Sequence, residues 1–247
     1  MYKGDNIMQV FACGDTHCPI DIHKLSVKNW PEQKEIEFTK EDILMVTGDF
    51  GLLWAPDWDN EELYWAKWLT EKPFTTCFVD GNHENFTRLA ALPEIDFHGG
   101  KVGVAYEDAN GRILHMKRGE IFIFDDKKIF TFGGATSTDK ERRLLNISWW
   151  PEEVPNHAEC EYALSNLEKH GNEVDFIITH TAPNTIIHAL GFDKYSSNRF
   201  NDPTAAFLEE IKKITLFKQW HFGHFHASVH KDQKFICHYN WEPYKLF

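Results

Sequence analysis

The chain has no apolar run long enough to cross a bilayer, which argues against a helical membrane span. Its opening residues, Met1 to Asn6, lack the apolar core of a secretory signal, so a cytoplasmic location is expected. Cysteine is scarce and odd in number, five in 247 residues, and no disulfide framework is expected. Cys13, Cys77 and Cys237 fall in strand-like runs and read as reduced packing residues. Positive charge is also short: 26 Lys and Arg face 38 Asp and Glu, a formal net charge of −12. That balance argues against nonspecific binding to nucleic acid or to an anionic membrane, although a bound cation would reverse the field locally. No repeat, low-complexity tract or linker divides the sequence, so residues 1–247 are expected to form a single domain.

What is present is apolar and patterned. Hydrophobic residues make up 42% of the chain and include 20 phenylalanines, enough for a sizeable core. Ile7 to Cys13, Ile43 to Thr47, Phe74 to Val79, Val174 to Thr179 and Leu216 to Phe222 read as buried strands. Asp59 followed by Glu62 is a capping-box pattern that opens a helix with Leu63, Ala66 and Leu69 at helical spacing. Asn156 followed by Glu159 opens another, with Gly171 as its stop. Asp202-Pro203 opens a third, with Phe207, Leu208, Ile211 and Ile214 on one face. Between them, Arg112 to Met116, Ile121 to Phe124 and Lys128 to Phe132 read as an antiparallel meander. His226 to His230 and Lys234 to Tyr239 read as a final hairpin. This order favours two packed sheets with helices outside.

The polar residues fall at the strand ends. The first strand runs into Gly14-Asp15-Thr16-His17 and the second into Gly48-Asp49. The third runs into Asp80-Gly81-Asn82-His83-Glu84, the fourth into His180, and the fifth into Gly223-His224-Phe225-His226. Ligands of α/β sheets bind beyond the carboxyl ends of strands, so these residues are placed to converge. Oxygen and nitrogen donors without sulfur suit manganese, iron or zinc. Asp15, His17, Asp49, Asn82, His180, His224 and His226 are too many donors for one four-coordinate ion. They suit two divalent ions roughly 3.5–4 Å apart, with the Asp49 carboxylate as the natural bridge.

The ordered set Asp15-x-His17, Gly48-Asp49, Gly81-Asn82-His83-Glu84, His180 and Gly223-His224-x-His226 resembles the calcineurin-like metallophosphoesterase family. The resemblance implies a four-layer α/β/β/α sandwich of two mixed sheets flanked by helices. It implies that Asp15, His17, Asp49 and His226 hold one ion and that Asp49, Asn82, His180 and His224 hold the other. His83 would be the catalytic histidine. The activity implied is hydrolysis of a phosphomonoester or phosphodiester by metal-bound hydroxide, since a dication lowers the pKa of water from 15.7 to about 7. His83 would protonate the leaving alkoxide, its own pKa raised by nearby carboxylates. The chain departs from the protein-phosphatase pattern after its second motif, where Gly48-Asp49 continues as Phe50-Gly51-Leu52 without a further Asp and Arg. The residue that orients His83 is therefore open, with Asp80 and Glu84 nearest in sequence.

Other readings stand beside these. Asp15, Asp49 and Asn82 are also common turn formers. The same fold without catalysis would be a metal-binding scaffold, and a nuclease would want a basic groove that no Lys/Arg cluster supplies. Trp65 and Trp68 read as packing on a helix, and Gly133-Gly134 as a tight turn. Residues 135 to 155 form a long connection holding Ser137, Asp139, Arg142, Arg143, Trp149 and Trp150. Its arginines are candidates to pair with a substrate anion and its tryptophans to wall the cleft. The plainer alternative is that the tryptophans plug the core and the arginines are solvated. The substrate is expected to be a phosphate ester, with no membrane partner and nucleic acid disfavoured.

Overall fold

A computed structural model of the chain describes residues 8–195 and 202–247. Ile7 lies outside those residues, and the first strand, β1, spans Val10–Cys13. It is followed by β2 (Ile43–Val46), β3 (Thr75–Phe78), β4 (Glu94–Phe97), β5 (Gly100–Asp108) and β6 (Gly111–Met116). Then come β7 (Ile121–Phe124), β8 (Lys127–Phe132), β9 (Phe176–Thr179) and β10 (Gln219–Phe222). The chain closes with β11 (Val229–Lys231), β12 (Phe235–Cys237) and β13 (Tyr244–Lys245). The helices are α1 (Asn60–Thr70), α2 (Phe86–Ala90), α3 (His157–Lys169), α4 (Asn184–Ala189) and α5 (Pro203–Ile214). Among the described residues no helix is long and apolar enough to cross a membrane.

Two mixed sheets result. One has the order β13-β1-β2-β3-β6-β5-β4 and the other β11-β12-β10-β9-β8-β7. β1, β2, β3 and β6 run parallel, as do β8, β9, β10 and β12. Period-two alternation then sorts side chains into layers. Val10 and Ala12 of β1 and Ile43 and Met45 of β2 face the other sheet, where they meet Phe122, Ile129, Phe176 and Ile178. Phe11, Cys13, Leu44 and Val46 face outward and bury Ala66 and Leu69 of α1. On the far side Phe130, Phe132, Ile177 and Trp220 bury Ala163 and Leu167 of α3 and Leu208 and Ile211 of α5. The layers are helix, sheet, sheet, helix, because central strands such as β1 and β2 are apolar on both faces.

The helix caps show where a local signal holds and where tertiary structure takes over. Asn156 accepts the Glu159 N–H while Glu159 accepts the Asn156 N–H, a complete capping box. Gly171, at φ +75°, follows the end of that helix. Asp59 likewise accepts the Glu62 N–H at 2.8 Å. The Glu62 carboxylate does not return the bond: it accepts the Trp54 and Ala55 N–H groups and pairs with Arg88 at 2.6 Å. On α5 the buried stripe is Thr204, Ala205, Leu208 and Ile211, and Ile214 is exposed because the helix ends there.

The expected meander is not one unit. β6 pairs with β5 and β3, whereas β7 and β8 pair with each other in the second sheet. The chain crosses between sheets at Lys117–Glu120, a step that local strand propensity does not register. β4, β5 and the short β13, which pairs with β1, are further strands beyond those expected. The hairpin of β11 and β12 forms as expected.

One buried pair sets a pH limit on this fold. His221 on β10 points away from Trp220 and Phe222, and its Nδ1 lies 2.8 Å from His238 Nε2. One ring donates and the other accepts, a bond that two neutral imidazoles can make. Burial pushes His238 down to about 3, and it pushes His221 well below its ordinary value, helped by His238. As pH falls below about 6.5 the unfolded chain takes up protons that the native pair refuses. Stability is therefore fully present above that pH and is lost as pH falls toward 3. His238 alone contributes a loss of about 2 kcal/mol by about pH 5. Urea midpoints between pH 7.5 and 5 should slope less steeply in His238→Gln than in the natural chain. Equal slopes would assign the acid sensitivity to other groups.

Candidate metal centre

The parallel order of β1, β2 and β3 sets their carboxyl ends side by side, and β9 and β10 do the same in the second sheet. Asp15 and His17 follow β1, Asp49 follows β2, and Asn82 and His83 follow β3. His180 follows β9, and His224 and His226 follow β10. The fold brings all of them to one place. His17 Nε2 lies 3.2 Å from Asp49 Oδ2, and His180 Nε2 lies 3.3 Å from Asp49 Oδ1. His226 Nε2 lies 3.4 Å from Asp15 Oδ2, and Asn82 Oδ1 lies 3.1 Å from His180 Nε2. Both Asp15 oxygens accept the His224 N–H, at 3.1 and 3.0 Å.

The local backbone is bent to achieve this. His17, Asp49, His224 and His226 all have positive φ, between 38° and 67°. Such conformations cost roughly 1–3 kcal/mol each in a non-glycine residue and tend to gather at functional sites. Two glycines make the close approach possible. A Cβ on Gly48, whose φ is +95°, would lie 2.2 Å from the His180 ring, and one on Gly81 would lie 2.1 Å from Asp49 Oδ1. Gly48 thus clears space for a side chain from the other sheet, and Gly81 for one from the adjacent strand.

Two ligand-sized groups form among the described residues. His17, Asp49 and His226 place one donor atom each within 4.8 Å of one another, and so do Asp49, His180 and His224. Asp49 is common to both. The chemistry of these donors fits divalent cations. His180 is fully buried, and its Nδ1 lies 2.8 Å from the Thr47 carbonyl. That carbonyl can only accept, so Nδ1 carries the hydrogen and Nε2 is the nitrogen turned toward Asp49 and Asn82. The electrostatics show the same demand for positive charge. Burial opposes ionisation of Asp49, yet His180 and His17 hold it well below the usual carboxylate range. Burial also opposes protonation of His180, but Asp49 and Asp15 raise it to about 10. Burial, reinforced by Asp49, pushes Asp15 up to about 6. Positive charge beside Asp49 and Asp15 is favoured, as a bound cation would supply it.

A layer with no sequence signal fixes the first. Asn82 Nδ2 donates to Ser137 Oγ at 3.1 Å, and Ser137 donates to the buried Glu153 through Oγ at 2.5 Å and through its N–H at 2.8 Å. This chain of bonds turns the amide oxygen of Asn82 toward His180. Ser137 and Asn82 are 55 positions apart, so no local pattern links them.

Neither Asp80 nor Glu84 orients His83. The Asp80 carboxylate is occupied by Arg118, at 2.9 and 2.6 Å, and by His115 Nε2 at 3.0 Å. Gly133-Gly134 turns tightly against it, with the Gly134 N–H donating to the Asp80 carbonyl. Glu84 accepts the Phe50 and Gly51 N–H groups. His83 instead meets Arg143, whose Nη2 lies 2.9 Å from Nε2, and its N–H donates to Asp49 Oδ1 at 2.8 Å. Trp54 stacks along the ring. The expected upward shift of His83 is reversed: burial lowers it, Asp49 opposes, and Arg143 and His17 add to the lowering.

An open cleft of about 320 Å³ lies over these groups, lined by Asp49, Asn82, His83, Thr138, Asp139, Arg143 and His224 to His226. The 135–155 connection divides between its two readings. Trp150 is buried in the core and donates to Thr87 Oγ1, and Arg142 is exposed. Arg143 lines the cleft, tied by Nε to Asp139 at 2.8 Å. Trp65 and Trp68 pack edge-on against His23, away from the cleft.

A family model described as calcineurin-like phosphoesterase matches residues 8–228. No curated protein matches the chain.

Proposed function

The chain belongs to the calcineurin-like phosphoesterase family, and from that premise we propose a hydrolase for phosphate esters that works with two divalent ions sharing Asp49. One observation carries this reading: the two donor groups are separate except for Asp49, which presents Oδ2 to His17 and Oδ1 to His180. A carboxylate with its oxygens turned to opposite sides is suited to join two cations. His17, Asp49 and His226 would hold one ion, with Asp15 beside them. Asp49, His180 and His224 would hold the other, with the Asn82 amide oxygen beside them. Manganese, iron and zinc suit these oxygen and nitrogen donors. When bound, the ions supply Lewis acidity toward water and toward the phosphoryl oxygens.

The protein groups do the rest. Thr47 and the Ser137–Glu153 pair hold two donors in register. His83 stands at the cleft wall between Trp54 and Arg143, and donates a proton to the departing alkoxide. The negative charge of an arriving phosphate favours the imidazolium that this requires. Among the described residues lining the cleft, Arg143 is the sole Lys or Arg. That suits a small ester better than a nucleic acid strand, which asks for a track of basic residues. Donors from both sheets support reading residues 1–247 as one catalytic domain.

The test is turnover of simple mono- and diesters by metal-reconstituted protein, paired with His83→Asn. The variant should keep its metal content. Its kcat should fall by about 10²-fold or more on an alkyl ester and much less on a nitrophenyl ester, whose leaving group needs little protonation. Equal losses on both would argue against proton donation by His83. No turnover of any ester by the natural chain at full metal occupancy would overturn the hydrolase reading itself.

A further inference from the structure

We propose that Arg143 is a substrate-positioning residue that binds a terminal phosphate oxygen and makes the site selective for phosphomonoesters over phosphodiesters. The inference deepens the hydrolase reading and rests on it.

The argument starts from how Arg143 is held. Its side chain is 12% exposed, so the guanidinium is largely removed from water. Nε is fixed by Asp139 at 2.8 Å, and Nη1 lies 3.4 Å from the Ser148 carbonyl. Arg142, its neighbour, is exposed. Among the described residues the forward nitrogen, Nη2, has no carboxylate partner. It rests 2.9 Å from an imidazole nitrogen, His83 Nε2, at the wall of the cleft. A neutral imidazole carries no charge to balance a largely buried cation, whereas a phosphate oxygen supplies both an acceptor and the opposite charge. The arrangement is a guanidinium pinned from behind by Nε and Nη1, with Nη2 turned toward a cavity that is also lined by the candidate metal donors.

The chemistry of the ester then decides what this fork distinguishes. A monoester carries three terminal oxygens, and two ions can each take one. The third keeps negative charge and needs a donor, which Arg143 can provide. In a diester that third position is an alkoxy oxygen, a poor acceptor with no formal charge and with an organic group attached. Arg143 therefore contributes to monoester turnover and little to diester turnover. A purely structural role, in which Arg143 only fixes the His83 ring, would affect both esters alike.

The experiment compares nitrophenyl phosphate with bis-nitrophenyl phosphate, which share a leaving group, in Arg143→Ala and Arg143→Lys, at metal content verified for each protein. Arg143→Ala should lower kcat/KM about 30- to 100-fold on the monoester and less than about 5-fold on the diester. Arg143→Lys should fall between, since it keeps the charge and loses the fork. Titration of the metal-loaded proteins with inorganic phosphate gives a readout independent of turnover, and Arg143→Ala should bind it about 10-fold or more weakly. Equal losses on the two esters, or unchanged phosphate affinity, would overturn the proposal. Arginine-dependent phosphate binding in a protein that turns over neither ester would uphold the anion clamp and overturn the hydrolase reading instead.

Discussion

Asp49→Asn is expected to lower the affinity of both ion positions together and to reduce turnover by about 10³-fold or more. Among the described residues the two donor groups share only Asp49, so its replacement acts on both directly. The amide replaces an oxygen that faces either His17 or His180 with an NH₂ group, which cannot ligate and points a positive dipole at a cation. It also removes the one negative charge between the two positions. Asp49 carries a further duty, since its Oδ1 accepts the His83 N–H and so anchors the Asn82-His83 turn. Metal analysis at increasing free metal would show both occupancies falling in step. A variant that lost one ion and kept the other at its natural affinity would contradict the shared-carboxylate arrangement. By contrast, His226→Ala should weaken one position and largely spare the other, because His226 belongs to one group only.

Asp80→Ala is expected to cost about 3–5 kcal/mol of stability. The guanidinium of Arg118 is 5% exposed and gives Nε and Nη2 to Asp80 Oδ2. Burial disfavours charge on both partners, but each holds the other ionised: Asp80 lies well below the usual carboxylate range and Arg118 above its ordinary value. With the carboxylate gone, the buried cation keeps the Glu152 and Glu153 carbonyls and a 3.2 Å contact to the part-exposed Glu159. Those do not replace a paired charge. Chemical denaturation should show the loss, and replacing both partners with apolar residues should recover much of it, as leaving neither charge removes the desolvation penalty. A loss under about 1 kcal/mol in Asp80→Ala would mean that water reaches Arg118. Asp80 thus belongs to the support of the β3 turn, two residues from Asn82, and not to the chemistry of His83.

The sequence made the strand ends legible because their chemistry is local. Gly48-Asp49 and Gly223-His224-x-His226 follow apolar runs directly, and a parallel sheet aligns such ends without further information. Contacts between distant loops left no trace. The partner of His83 is Arg143, 60 positions away, and sequence proximity pointed to Asp80 and Glu84 instead. The Asn82–Ser137–Glu153 chain is of the same kind. The strands from β6 to β8 were readable as strands, but their assignment to two sheets depends on burial faces that meet only in the folded chain. Glu62 shows how a tertiary demand overrides a local one: its side chain leaves the cap it could have completed for two N–H groups and Arg88.

The division of donors between the sheets has a consequence for the order in which the site is made. Synthesis delivers Asp15, His17, Asp49 and Asn82 first, all on the sheet of β1 to β3. His180, His224 and His226 arrive with β9 and β10 of the other sheet. Until then Asp49 has only His17 of its imidazole partners, and Asp15 lacks the His224 N–H. A cation meeting the nascent chain at that stage would find four of the seven candidate donors. On the proposed two-ion reading, the complete donor set would meet a cation only after β10 has taken its place.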